Sequence, residues 1–228
     1  MTANPSDHQL PTRPRAVFDQ EKLPCCVSCA LAGAMEILHP DWPPLAALFH
    51  YHVTRFDNQG ADSAGFLYLD TAILTLTNQG ICQHALHPEP FTPAGAVVRP
   101  SSAAYADGST RQVGREVFRF RYRPLSGPSM AVSIREQLRD DCPVVLGITL
   151  PEGYPTSFLN PIKEWRDPAN PPPSASYHCV LVVGYSDARQ ALRVQDSRGH
   201  HPSFEGGGWW MGYRVVDSSI VHEAYSLF

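Results

Sequence analysis

The chain has 228 residues, 43% of them apolar, a formal net charge of −4 and no dense run of Lys or Arg. This fits one large domain, or two lobes sharing an interface, and gives no electrostatic case for nucleic acid or an anionic membrane as partner. No stretch approaches the roughly 18 apolar residues of a membrane span, and the polar N-terminus lacks a signal-peptide core, so a cytoplasmic location with reduced thiols is expected for the six cysteines.

Residues 1–15 read as a mobile tail. Val27, Ala30, Leu31, Ala34, Met35 and Leu38 then recur at helical spacing. That predicts a buried helix from about Cys26 to His39-Pro40, because the residue before a proline is pushed out of the α region. Two more helices are expected over 44–55 and 66–79, the latter stopped by Gly80. Residues 88–114, rich in Pro, Ala, Gly and Ser, read as a connecting loop. A strand region follows at 117–122, then a helix over 129–141 with Ser129 as N-cap. A β run at 143–150 leads into a long loop over 151–176, and strands are expected at 178–185, 190–195, 208–216 and 223–228. Helices first and strands later, without βαβ alternation, predict an α+β protein. Its single domain would span 16–228, with a helical lobe over about 16–114 and a sheet lobe over about 115–228.

Four residues carry the candidate chemistry. Cys26 stands at a helix start, where free N–H groups and the macrodipole favour an anion. A thiol there, beside a histidine, can have its pKa lowered to roughly 3.5–7.5. Taken alone, a free cysteine is more often a small core residue. His178 opens the apolar run His-Cys-Val-Leu-Val-Val-Gly-Tyr, and Asp196 lies at the end of the next expected strand. Adjacent antiparallel strands would bring the two together, with Asp196 orienting His178 toward a thiol. The plainer readings are a satisfied core histidine and a turn aspartate. Upstream, the amide of Gln20 can help to hold an oxyanion.

The string Asp19-Gln20-Glu21-Lys22-Leu23-Pro24-Cys25-Cys26 resembles the active-site segment of the papain-like cysteine peptidases, especially bacterial members that lack a tryptophan after the nucleophile. The His178 strand, the stretch Val194 to Gly199, Gly208 to Tyr213 and the closing Ala224 to Phe228 are similar to later segments of that family, in the same order. The resemblance implies a two-lobe papain-like fold with the active site in the cleft; no cofactor, no metal and no long propeptide are expected. It further implies a peptide or protein substrate cut through an acyl-enzyme at Cys26, with His178, Asp196 and Gln20 as partners and Ala64, Gly65 and Tyr177 on the substrate side. A thiol acyltransferase or cyclase with the same site, and a silent binding protein on this fold, are the alternatives.

Several positions depart from the family pattern. Glu21 replaces a glycine, Pro24-Cys25 replaces Gly-Ser, Asp196 replaces an asparagine, and Arg198 replaces a shielding tryptophan and could compete for Asp196. Cys25 is the neighbouring candidate for the nucleophile, and the six-residue spacing from Gln20 favours Cys26. A redox reading of Cys26-x-x-Cys29 wants a thioredoxin-like βαβ context, which the pattern lacks. A zinc reading would need ligands such as Cys82, His84 and His87 at irregular spacing. His50, His52, His200 and His201 read as helix-surface and loop residues.

Overall fold

The computed structural model describes residues 7–15, 17–112, 122–124, 129–150, 164–165, 176–199 and 208–228. Most of the strand region expected at 117–122, most of the loop at 151–176, and His200 and His201 lie outside them. The chain opens with β1 (Asp7–Gln9). The helical half then holds α1 (Cys26–Leu38), α2 (Ala47–His52) continued by a π-helical turn to Asn58, α3 (Leu69–Asn78), and two short helices, α4 (Pro93–Ala96) and α5 (Ser102–Gly108). The sheet half comprises β2 (Tyr122–Pro124), α6 (Met130–Arg139), β3 (Val144–Leu150), β4 (Glu164–Trp165), β5 (Ser176–Ser186), β6 (Ala191–Gln195), β7 (Gly208–Gly212), α7 (Tyr213–Val216) and β8 (Val221–Leu227).

The strands form one sheet in the order β2-β8-β3-β5-β6-β7-β4, with β1 added on β5. Pairing is antiparallel except between β4 and β7. β3 is buried along its whole length, as a run that is apolar at every position but Thr149 requires. β5 lies beside it, with Ile148 opposite His178.

Helix α1 packs against β5 and is buried from Cys26 to Ile37. Small residues at Ser28, Ala30, Ala32, Gly33 and Ala34 let it approach closely. A Cβ at Gly33 would stand 3.0 Å from Leu181 Cδ2. Glu36, also buried, satisfies two loop N–H groups, from Arg15 at 2.8 Å and from Leu45 at 2.9 Å. These bonds let a carboxylate sit in the core.

Four expectations are corrected. The segment read as a tail contains β1, which pairs with β5, Asp7 opposite Ser186, and Leu10 beyond it is buried. The loop at 88–114 contains α4 and α5, each started by a hydroxyl cap: Thr92 accepts from the Gly95 N–H and Ser101 from the Ala104 N–H. The strand expected over 208–216 ends at Gly212 and turns into α7. His50 and His52 are core residues. The His50 Nε2–H donates to the Ala72 carbonyl at 2.9 Å, which leaves Nδ1 to accept from the Ser28 hydroxyl at 2.9 Å. One ring therefore ties α1, α2 and α3 together.

Candidate active site

Helix α1 starts at Cys26 with no side-chain cap and no acidic residue in its first turn, so its leading N–H groups and dipole favour an anion there. The preceding turn is unusual for its sequence. Glu21 has φ +49°, a left-handed conformation that glycine adopts at lower cost, and its N–H is held by Asp19 Oδ1 at 3.1 Å. The glutamate therefore keeps a backbone shape better suited to glycine.

Cys26, His178 and Asp196 are all buried and meet where α1 faces β5 and the end of β6. His178 Nε2 donates to Asp196 Oδ1 at 2.8 Å, so Nδ1 is the nitrogen left to face Cys26. Oδ1 also accepts from the Ser197 N–H at 2.8 Å, and Oδ2 accepts from the Trp209 indole N–H at 3.1 Å. Among the described residues the Asp196 carboxylate bonds His178, Ser197 and Trp209, and not Arg198. The Arg198 backbone forms an isolated antiparallel bridge with Asp19.

Electrostatics follow from this packing. Burial pushes the Cys26 thiol up. The charge and hydrogen bond of His178, with backbone hydrogen bonds from Cys179 and Val27, more than reverse that and hold the thiol below its ordinary range. Burial pulls the His178 ring down. The charges of Asp196 and Cys26 and the hydrogen bonds to both outweigh it and raise the ring to about 10. Each partner stabilises the charged form of the other, so a thiolate–imidazolium pair is favoured.

Gln20 reaches this corner because residues 18–20 pair with 197–199. Gln20 N donates to Ser197 O at 2.8 Å, and Gly199 N donates to Phe18 O at 2.9 Å. Its side chain is pinned at both ends: Nε2 donates to Leu23 O at 2.9 Å, and Oε1 accepts a short bond from the Ser197 hydroxyl. One amide hydrogen is used by Leu23, and the second is left for another acceptor. Ser197 thus links the amide of Gln20 to the carboxylate of Asp196. Ser197 and Trp209 both fall in segments that resemble the family, but the sequence assigns neither a role. The signal that could have found Trp209 is register, since it pairs with Val194, two residues before Asp196.

A cleft of about 270 Å³ opens beside Cys26 and His178, walled by Phe66, Leu67, Tyr68, Leu69, Gly147, Tyr177, Cys179, His222 and Glu223. Phe66, Tyr68 and Tyr177 are at least 63% exposed and give the cleft an apolar rim. Burial and then the charge of Asp70 raise the Glu223 carboxyl. Tyr177 lines this cleft, whereas Ala64 and Gly65, expected on the same side, are not part of its wall. Both backbone groups of Gly65 are engaged by the Tyr51 hydroxyl, each at 2.8 Å, so the residues that reach the cleft begin at Phe66. Among the described residues no group of three or more His, Cys, Asp or Glu side chains could hold a metal. Cys82, suggested as a zinc ligand with Cys26 and Cys29, lies in a separate small core cluster with Ala46, Phe49, Val53 and Ala104.

No family model matches the chain, and no curated protein matches it. Solved structures do. Xylellain, a cysteine protease from Xylella fastidiosa, superposes with a TM-score of 0.80 at 20% identity, covering 99% of this chain and 86% of that one. The Carica candamarcensis cysteine protease CMS1MS2, in complex with E-64, gives 0.68 at 15% identity over 98% of each chain. Bromelain from Ananas comosus, with the same inhibitor, gives 0.65 at 13% identity, covering 98% and 99%. The chain therefore has the papain-like α+β fold.

Proposed function

We propose that this protein is a papain-like cysteine peptidase that cleaves peptide bonds through an acyl-enzyme on Cys26. The observation that carries the reading is the buried Cys26–His178–Asp196 array, in which the thiol is lowered and the ring is raised to about 10. The Cys26 thiolate attacks the amide carbonyl. The Cys26 N–H at the helix start and the second amide hydrogen of Gln20 hold the developing oxyanion. His178, held in one tautomer by Asp196, gives its Nδ1 proton to the leaving amine and then draws one from the water that resolves the thioester. The apolar rim beside the site suits the side chains of an extended peptide.

The test is the pH dependence of Cys26 alkylation by iodoacetamide, with the modified residue mapped, alongside hydrolysis of a peptide library. Rapid Cys26 labelling well below pH 8 that is lost in His178→Ala, together with hydrolysis abolished by Cys26→Ala, is the expected result. Labelling with an ordinary thiol profile, or hydrolysis unchanged in Cys26→Ala, overturns the assignment.

A further inference from the structure

Two thiols that the proposed hydrolysis does not use lie against the nucleophile's own helix turn. Cys25 and Cys29 are fully or almost fully buried, and their sulfurs stand 3.8 Å apart across the first turn of α1. This is the one thiol–thiol contact among the described residues. Cys26 is flanked by both, as Cys25's neighbour and as the first member of Cys26-x-x-Cys29. Helix positions three or four apart have Cβ atoms roughly 5–6 Å apart, against roughly 3.5–4.5 Å in a disulfide. Either bond therefore needs the first turn of α1, which no side chain caps, to tighten by about 1–2 Å.

Resting on the assignment of Cys26 as nucleophile, we propose that Cys25 and Cys29 form a resolving dithiol that carries oxidation away from Cys26 when hydrogen peroxide reaches the cleft. The Cys26 thiolate attacks a peroxide oxygen. The O–O bond breaks, a sulfenic acid forms, and the departing hydroxide takes the His178 proton and leaves as water. The Cys29 thiol then attacks the sulfenic sulfur; the S–O bond breaks and a second water leaves with the Cys29 proton. Finally the Cys25 thiol attacks the Cys29 sulfur of the Cys26–Cys29 bond. Cys26 departs as thiolate, and the Cys25 proton returns to His178. The balance is one peroxide reduced to two waters and one dithiol oxidised to the Cys25–Cys29 disulfide. The direction of the last exchange follows from leaving-group strength. Cys26 is the lowered thiol, whereas Cys29 is pushed well above the ordinary range by burial and then by Cys25, so the bond settles away from Cys26.

The experiment treats the full chain with one equivalent of hydrogen peroxide, alkylates the remaining thiols and maps the peptides by mass spectrometry. The expected product has lost two hydrogens, carries the Cys25–Cys29 link and keeps Cys26 alkylable. In Cys25→Ala the link stops at Cys26–Cys29. In Cys29→Ala the Cys26 sulfenic acid accumulates, is trapped by dimedone, and proceeds to sulfinic acid with excess peroxide. Normal Cys26 labelling in the reduced variants shows that they fold. Sulfinic Cys26 in the wild type with Cys25 and Cys29 still alkylable overturns the proposal, and so does a wild-type bond left at Cys26. Failure of the nucleophile assignment is distinguishable, because it appears as slow Cys26 labelling before any peroxide is added.

Discussion

Both oxygens of the Asp196 carboxylate are engaged, by His178 and Ser197 on one side and by Trp209 on the other. A carboxylate so held cannot swing away, and its charge is the largest influence raising the His178 ring. Asp196→Ala should lower kcat/KM by roughly 10²–10⁴-fold, the usual span of general acid–base catalysis. It should also move the alkaline limb of the pH–rate profile down from near 10, because the imidazolium loses its main support. An unchanged limb would make Asp196 a turn residue. Ser197 acts at one remove, by fixing the Gln20 amide. Ser197→Ala should reduce kcat roughly tenfold, less than loss of a whole oxyanion donor, while KM stays near its original value. Ser197→Thr, which keeps the hydroxyl, should recover most of that loss. A rise in KM with kcat intact would place Ser197 in substrate binding instead.

At the scale of elements, the helical half is cross-tied through one buried imidazole. Burial lowers His50 to about 4, because charging the ring in the core is opposed; the Ala72 carbonyl offsets this only in part. Between that value and the ordinary 6.5, the unfolded chain binds a proton that the folded chain refuses. Stability therefore falls as pH drops through this window, by about 3 kcal/mol from His50 at its lower end. His50→Gln keeps hydrogen-bonding capacity but does not titrate. Urea unfolding at pH 7 and pH 4.5 should show a smaller acid loss in this variant than in the wild type, and equal losses would contradict the buried neutral ring. The same packing explains why His50 and His52 were misplaced from sequence. Histidine spacing on a short helix does not say which face is inward, and that face was chosen by α1, α3 and the Ala96 carbonyl that His52 bonds at 3.1 Å.

For the whole molecule, the cleft depends on β5, which pairs with β3, β6 and β1 while α1 covers it. His178 lies toward one end of that strand, and β1 pairs with the other, at Gly184 to Ser186. A chain begun at Thr12 loses this pairing and the buried Leu10, whose transfer from water is worth roughly 2 kcal/mol. Its Tm should fall by roughly 4–8 °C, while Cys26 labelling at 25 °C stays fast. Slow labelling in the shortened chain would mean that β1 also supports the site.

The sequence by itself determined the α+β order, the helix that starts at Cys26, and a histidine and an aspartate at neighbouring strand ends. Each depends on local periodicity or on spacing along the chain, and both survive in a linear string. The short helices after Thr92 and Ser101 were missed because a composition rich in Pro, Ala, Gly and Ser masks hydroxyl caps that take effect over three residues. Only the tertiary structure decided that Trp209 and Ser197 complete the setting of Asp196, that Gln20 is clamped between Leu23 and Ser197, and that Tyr51 occupies Gly65. The physical reason is that these are bonds between groups distant along the chain. A hydroxyl, an indole or an amide finds its partner through strand register and loop pairing, and until the sheet closes nothing in its own neighbourhood distinguishes it from a surface residue.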